Sequence, residues 1–140
     1  MKRPLYLLIA ACIFCYSLSS QKVSAQTIRN SSGSSIGTIE SNGTVRNASG
    51  SSFAQFDSDG TVRKNGSSIG KIESDGTVRK NGSSIGKIES DGTVRLNGSS
   101  VGKVESDGTI RRNGSSVGKA AGVKKEWAAA AVFFFDFFTM

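Results

Sequence analysis

Apolar residues recur in a fixed short pattern along most of the chain. The stretch SSIGKIESDGTVRKNG, residues 67–82, is one copy of a repeating unit. The units begin at Thr27, Thr44, Thr61, Thr77, Thr93 and Thr109; the first two are seventeen residues long, the next three are sixteen, and the last stops after Gly118. Each unit alternates short apolar-polar runs with Gly-containing turns, which is typical of consecutive β-strands.

In the units that begin at Thr61, Thr77, Thr93 and Thr109, one turn carries a strong hairpin signal. Asn65-Gly66 suits a two-residue loop, because both positions of such a loop need a positive φ. A hairpin centred there places Val62 opposite Ile69, so two apolar side chains meet across the strands. The pairing indicates an antiparallel hairpin with one apolar face.

The other turn predicts a three-residue loop over Ser74–Gly76, since this length sets Ile72 opposite Val78. Ile69 and Ile72 are three residues apart, and both can face inward only if the strand bends or bulges between them. Gly70 stands at the expected bend. The equivalent positions are Gly37, Ala54, Gly86, Gly102 and Gly118. Gly70, Gly86 and Gly102 are therefore candidate structural residues.

The five loops of the three-residue kind each end in an Asx-Gly pair; these Asx-Gly loops suggest how the repeats assemble. They are Asn42-Gly43, Asp59-Gly60, Asp75-Gly76, Asp91-Gly92 and Asp107-Gly108. Five hairpins built on these loops leave a leading strand at 27–29 and a trailing strand at 116–118. Pairing these two strands would close a five-fold ring and remove both sheet edges. An open single-layer meander or β-solenoid with capped ends remains an alternative.

The composition changes abruptly in the C-terminal tail, residues 120–140. Val123–Ala131 favours a helix, and a dense aromatic cluster follows. The candidate structural residues here are Trp127, Phe133, Phe134 and Phe135. One interpretation makes the tail a plug for the repeat domain, residues 26–119, whose Val and Ile side chains are too small to fill it. The other makes the tail an anchor to a membrane surface or a partner; an exposed VFFFDFF segment would, however, favour aggregation.

Residues 1–25 match a secretory signal peptide. Two basic residues precede a mostly apolar stretch from Leu5 to Leu18, and Val23-Ser24-Ala25 fits a cleavage site. Cleavage would start the mature chain at Gln26. The alternatives are an uncleaved anchor, for which the apolar stretch is short, and lipidation at Cys12. We expect an exported protein in the periplasm, at the cell surface or outside the cell.

Composition restricts the chemistry of residues 26–140, which contain no Cys, His, Tyr or Pro. Thiol nucleophiles, Ser-His triads, Cys/His zinc sites and disulfides are excluded there. Fifteen basic and eleven acidic residues give this part a net charge of +4, interspersed along the sequence. No basic block with interleaved aromatic residues suggests nucleic-acid binding. We expect no cofactor, no metal and no enzymatic activity.

Two motifs resemble ligand-binding loops without meeting their requirements. GSSIGK at 66–71 is one residue shorter than a phosphate-binding loop, and Ile72 replaces the Ser or Thr that would bind magnesium. The SDG loops carry one carboxylate each, too few for calcium. Glu73, Glu89 and Glu105 recur identically, which argues against a single asymmetric active site.

The repeats TVRKNGSSIGKIESDG, followed by the terminal EWAAAAVFFFDFF, resemble the five-fold β-flower proteins, small exported repeat proteins of Bacteroidetes. The resemblance covers nearly all of residues 26–140. It implies a radial all-β fold and an envelope or extracellular location, and it carries no functional residues over to this chain. In the second unit, SFAQF at 52–56 replaces SIGKI, so one petal is expected to differ in shape.

These observations favour a non-enzymatic structural or interaction protein of the bacterial envelope, with an envelope protein or surface polymer as partner. A second hypothesis is multivalent binding of glycans or anionic surface polymers. Its candidate residues occupy the same place in each unit: Arg46, Arg63, Arg79, Arg95 and Arg111. A third hypothesis is peripheral membrane contact through the aromatic tail.

Overall fold

The computed structural model describes residues 26–140, and its repeats form a closed antiparallel β-barrel of twelve strands. The signal-peptide prediction and the alternative at Cys12 lie outside the described residues. The strands are β1 Thr27–Asn30, β2 Ser35–Ile39, β3 Thr44–Asn47, β4 Ser52–Phe56, β5 Thr61–Lys64, β6 Ser67–Ile72, β7 Thr77–Lys80, β8 Ser83–Ile88, β9 Thr93–Leu96, β10 Ser99–Val104, β11 Thr109–Arg112 and β12 Ser115–Ala120. The all-β prediction is confirmed.

The ring closes where the first strand pairs with the last. In this closing seam, the β1–β12 interface, Ile28 lies opposite Ala120 and Arg29 opposite Lys119. Every other neighbouring pair of strands is consecutive in sequence and joined by a loop. The predicted closure is therefore confirmed, and the open meander is wrong. The ring consists of the five Asx-Gly hairpins and a sixth strand pair that the two ends form without a connecting loop.

The two kinds of turn adopt the predicted lengths. Asn65 and Gly66 have φ values of +50° and +82°, as a two-residue hairpin loop requires. In the other loop, the Gly76 amide donates to the Glu73 carbonyl at 2.9 Å, and Gly76 has a φ of +92°. Ile72 lies opposite Val78, as expected for a three-residue loop.

The expected opposition of Val62 and Ile69 is wrong. Arg63 pairs with Ser68, but Val62 pairs with Gly70, so Ile69 is the extra residue of a β-bulge. The bulge thus precedes Gly70, which returns to regular pairing. The bulge lies at Ile69 because it changes which residues face inward. It turns both Gly70 and Ile72 toward the barrel interior, while Ile69 is only half-buried.

The strands line the interior with two complete apolar layers. The first contains Ile28, Val45, Val62, Val78, Val94 and Ile110, each 0% exposed. The second contains Ile39, Phe56, Ile72, Ile88, Val104 and Ala120. Each strand pair contributes one residue to each layer, so no unit could bury its apolar face alone. The repeat exists because the units share one core.

The C-terminal tail passes through the barrel and fills it. It forms a short α-helix, α1 at Lys125–Ala129, which continues as a π-helix at Ala130–Phe134. The expected helix at Val123–Ala131 is therefore displaced toward the C-terminus. Residues 128–131 are 0% exposed and Val132 is 1% exposed. The tail is part of the core, so its aromatic side chains are not presented for the anchoring role of the alternative hypothesis.

The second unit keeps the register of the others despite its different sequence. Val45 pairs with Ala54 across the same bulge that Val62 and Gly70 show elsewhere. The difference lies in its side chains, because Phe53 meets the Phe137 ring edge-on at 5.6 Å between centroids. The strands of this unit are altered in packing and not in register.

Candidate functional site

The outer wall of the barrel carries rows of polar side chains that follow from the strand register. Across β5, β6 and β7, Thr61 pairs with Lys71, which pairs with Arg79. The same Thr-Lys-Arg row recurs along the ring with Lys87, Lys103 and Lys119. The first two units have Thr38 and Gln55 at the lysine position. Four adjacent rows therefore place a lysine directly beside an arginine.

The five candidate arginines are held by carboxylates of their own neighbourhood. Each Nε lies close to an acidic side chain at the end of the preceding strand: Arg46–Glu40 at 3.1 Å, Arg63–Asp57 at 2.8 Å, Arg79–Glu73 at 2.6 Å, Arg95–Glu89 at 2.7 Å and Arg111–Glu105 at 2.8 Å. The arginine side chains remain 39–44% exposed. Partly exposed pairs of this kind add little stability each, but they orient the guanidinium groups along the wall.

Four of the five arginines, all except Arg63, also contact the hairpin turns at the opposite end of their strands. Nη1 of Arg79 donates to the Gly82 carbonyl at 3.4 Å, and Arg46 makes the equivalent bond to Gly50 at 3.1 Å. Their hydrogen-bonding capacity is thus partly used inside the protein. The lysines of the wall are exposed, and they are the more accessible cations.

The Asx-Gly loops form one end of the barrel, the loop rim. In four loops an aspartate Oδ1 accepts a hydrogen bond from the backbone amide of the threonine two residues later, as Asp59 does from Thr61 at 2.9 Å. The amide and then the hydroxyl of this threonine hold the pKa of Asp59 below its usual value. Asp75, Asp91 and Asp107 show the same shift for the same reason. Asn42 makes this bond in the first loop, at 3.0 Å. The carboxylates are turn-forming groups.

A cleft of about 400 Å³ opens at the loop rim beside the start of α1. Asp59, Asp75 and Glu126 contribute carboxylates, and Trp127 contributes an aromatic wall. The Lys124 ammonium lies over the Trp127 ring, 5.0 Å from its centroid, so a cation of the chain itself covers this face. In residues 26–140 no group of three or more His, Cys, Asp or Glu side chains is arranged to hold a metal ion.

The predicted structural residues meet inside the barrel. The rings of Phe133, Phe134 and Phe135 lie against Gly102, Gly86 and Gly70 in turn. A Cβ on Gly86 would come within 2.5 Å of the Phe134 ring, so only glycine leaves room for it. Each glycine is therefore required by close contact with an aromatic ring and with a carbonyl of the neighbouring strand, and not by a bend.

The rest of the tail continues this correspondence around the ring. Phe137 contacts Phe53 and Phe56 of the second unit, Phe138 lies against Gly37, and Met140 lies against Gly118. Asp136, which interrupts the aromatic run, is exposed and has a φ of +53°. Six tail side chains thus face six units, one each.

Two further contacts fix the ends of the helical part of the tail. The Trp127 indole stacks on Phe56 at 5.6 Å between centroids and 9° between planes. At the other end, Nη2 of Arg112 lies 3.5 Å from the Val132 carbonyl, and its guanidinium lies 5.0 Å from the Phe133 ring centroid. A cation at the C-terminal end of a helix is electrostatically favourable. Both contacts seat the plug in one orientation.

Comparison with known families agrees with this architecture. The family model described as "5-fold beta-flower protein" matches residues 25–136. The chain belongs to the five-fold β-flower family. No match is found among curated proteins or among solved structures. In this β-flower protein the five loop-connected hairpins and the closing strand pair surround one plug. No helix within residues 26–140 is long and apolar enough to cross a membrane.

Several features of this β-flower protein could not be read from the repeat alone. The arginine-carboxylate pairs join residues six apart, a spacing that only becomes a contact once the three-residue loop returns the chain. The match between glycines and tail side chains had one sequence signal: six apolar residues in the segment 133–140 for six units. No sequence signal pointed to Arg112, because its position is occupied in other units by Lys64, Lys80 and Leu96.

Proposed function

We propose that this β-flower protein is an exported, non-enzymatic structural or interaction protein of the bacterial cell envelope. The observation that carries the proposal is the plugged interior: the tail occupies the space where a barrel of this kind would hold a ligand. The outer wall and the two rims are then the surfaces through which it acts. Residues 1–25 support export, because their basic start, apolar stretch and small residues before Gln26 fit a cleaved signal.

Export is tested by the N-terminus of the protein recovered from fractionated cells that express the full chain. Mass spectrometry should find a chain that begins at Gln26 in the envelope or medium. Ala25→Arg should block this cleavage, because signal peptidase needs a small residue directly before the cut. Ser24→Arg, at a tolerant position, is the matched control. An intact Met1 in the cytoplasm would contradict export, and a lipid-modified Cys12 would replace cleavage by lipoprotein processing.

A second candidate function is binding of a linear anionic polymer along the outer wall. The specific observation is the alignment of exposed Lys71, Lys87 and Lys103 with neighbouring arginines. Adjacent strands lie about 4.8 Å apart, so equivalent lysines two strands away recur about every 10 Å. Weak contacts at such spacing add up for a polymer but not for a single anion. The lysines replace the arginines of the sequence hypothesis, since the latter are held in ion pairs.

We expect the triple variant Lys71→Gln, Lys87→Gln, Lys103→Gln to weaken binding of long-chain polyphosphate at least tenfold at low salt. Gln55 stands naturally at this position in the second unit, so the fold should persist. The control is Lys64→Gln, Lys80→Gln, Lys124→Gln, which removes the same charge from exposed positions elsewhere. Fluorescence anisotropy of labelled polymer measures both. Equal loss of polymer binding in the two variants would show that only the net charge matters, and it would reject the outer wall as a binding site.

A further inference from the structure

One arginine of the ring differs from its five equivalents. Arg29 occupies the same strand position as Arg79, but no carboxylate within residues 26–140 forms an ion pair with it. It is also exposed, whereas the five paired arginines are half-buried. The comparison is internal to the molecule, because the six positions share the same strand register. The closing seam therefore lacks the arginine-carboxylate ion pair that occurs at the other five equivalent strand pairs.

The reason lies at the end of the last strand. Ala120 pairs with Ile28 as Ile72 pairs with Val78, so Ala121 stands where Glu73 stands in its unit. Ala121 is exposed and has no acidic group. Residues 1–25 contain no Asp or Glu either, so the preceding segment has no carboxylate side chain to offer Arg29. The carboxylate that the other five arginines have as a partner is therefore absent both at the end of β12 and from residues 1–25.

The charge next to Arg29 makes the difference larger. Lys119 lies directly opposite it in the strand register, as Lys71 lies opposite Arg79. Like charges facing each other across a strand pair are destabilising. The charge of Lys119 helps to lower the pKa of Asp107, as the charge of Lys71 does for Asp59, so each of these lysines is attracted to a loop aspartate. In the other strand pairs a carboxylate such as Glu73 neutralises the arginine. In the closing seam the positive charge of Arg29 has no such partner.

The guanidinium of Arg29 is nevertheless held in the orientation that its equivalents have. Its Nη1 donates to the Gly33 carbonyl at 2.9 Å, as Arg46 does to Gly50 at 3.1 Å. In Arg46 this bond occurs together with the Nε bond to Glu40. By analogy with Arg46, we expect the free Nε edge of Arg29 on the side of Ala121. An arginine with one side already fixed loses less entropy when an oxyanion binds the other side.

We propose that the closing seam is a binding site for an oxyanion group, a carboxylate or a phosphate, held between Arg29 and Lys119. The anion takes the place that a glutamate side chain fills in the other junctions. Charge-assisted hydrogen bonds from the guanidinium edge supply the attraction. Because β1 and β12 are joined by no loop, an anion that bridges them also strengthens the closure of the ring. The inference does not depend on export or on polymer binding.

The test measures the urea midpoint of residues 26–140, which contain all twelve strands and the plug, against rising phosphate or acetate at constant ionic strength. We expect a saturable rise in the midpoint at millimolar anion, since ligand that binds only the folded state stabilises it. Arg29→Gln should abolish the rise. Ala121→Glu should raise the midpoint without added anion and also abolish the response, because it supplies the carboxylate internally.

Arg79→Gln is the matched control, since it removes an arginine that is already paired. It should lower the midpoint slightly and leave the anion response intact. Amide chemical shifts of Arg29 and Ala121 on titration give an independent reading in the folded wild type. A response to phosphate alone identifies a phosphate group as the ligand, and a response to both anions identifies any oxyanion. An equal response in all four proteins, or none in the wild type, would overturn the proposal.

Discussion

A chain that ends at Gly122 should be unfolded or aggregated, whereas residues 26–140 should be a folded monomer. The truncation removes Phe134, Phe135, Phe137 and Phe138, all buried, together with the fully buried residues 128–131. Burial of one large apolar side chain contributes about 1.5–3 kcal/mol. For these four rings the sum is about 6–12 kcal/mol, as large as the net stability of about 5–15 kcal/mol that a domain usually has. The two apolar layers of the barrel would then line an unfilled interior.

Sedimentation and urea denaturation measure this difference. A matched control replaces the tail with a Gly/Ser segment of equal length, which keeps the chain length and removes only the side chains. It should behave as the truncation does. A second control, Asp136→Asn, changes an exposed residue of the tail and should leave stability nearly unchanged. A truncated chain that remains a folded, soluble ring would show that the tail is not needed as core.

Gly86→Ala should destabilise the protein by about 1–3 kcal/mol, the usual cost of an added methyl group in a filled core. Its Cβ would meet the Phe134 ring and the carbonyl of Arg95 on the neighbouring strand. Ordinary strand preferences predict the opposite sign, because Gly is the poorer strand residue. The prediction therefore separates these two close contacts from local backbone preference.

A double-mutant cycle with Phe134→Leu checks the cause by urea denaturation. Leucine is narrower than the ring, so the double variant should lose less stability than the sum of the two single variants. The rescue should be partial, since the contact with the Arg95 carbonyl persists. Ser84→Ala on the exposed side of the same strand is the control and should change stability by less than about 0.5 kcal/mol. Strict additivity would contradict direct packing of Phe134 on Gly86.

Most of the fold could be predicted from the repeat pattern. Turn chemistry at Asn65-Gly66 and Asp75-Gly76 determined loop lengths, and the need to avoid unpaired edges favoured closure; both inferences rest on local rules that the sequence displays directly. The bulge was misplaced by one residue, because Ile69 looks like a core residue until the tail occupies the interior. Once the aromatic rings require a glycine layer, Gly70 must face inward and Ile69 becomes the extra residue.

The candidate site was harder to predict, because it depends on contacts between units. The recurrence of arginines such as Arg79 was visible, but their pairing with residues such as Glu73 follows from the return of the chain through the loop. The exceptional position of Arg29 appears only when Ala121 is aligned with Glu73 through the register of the closing seam. Sequence repeats show what the units share, whereas the structure shows where one unit departs from the others.

The most direct test of the plugged, closed ring is one nuclear Overhauser spectrum of residues 26–140 in solution. The fold predicts cross-strand contacts between Ile28 and Ala120, and contacts from the Gly86 α-protons to the Phe134 ring, in the same spectrum. Hairpin contacts without the Ile28–Ala120 and Gly86–Phe134 contacts would contradict the account, since the repeats would then form an open array with the tail outside.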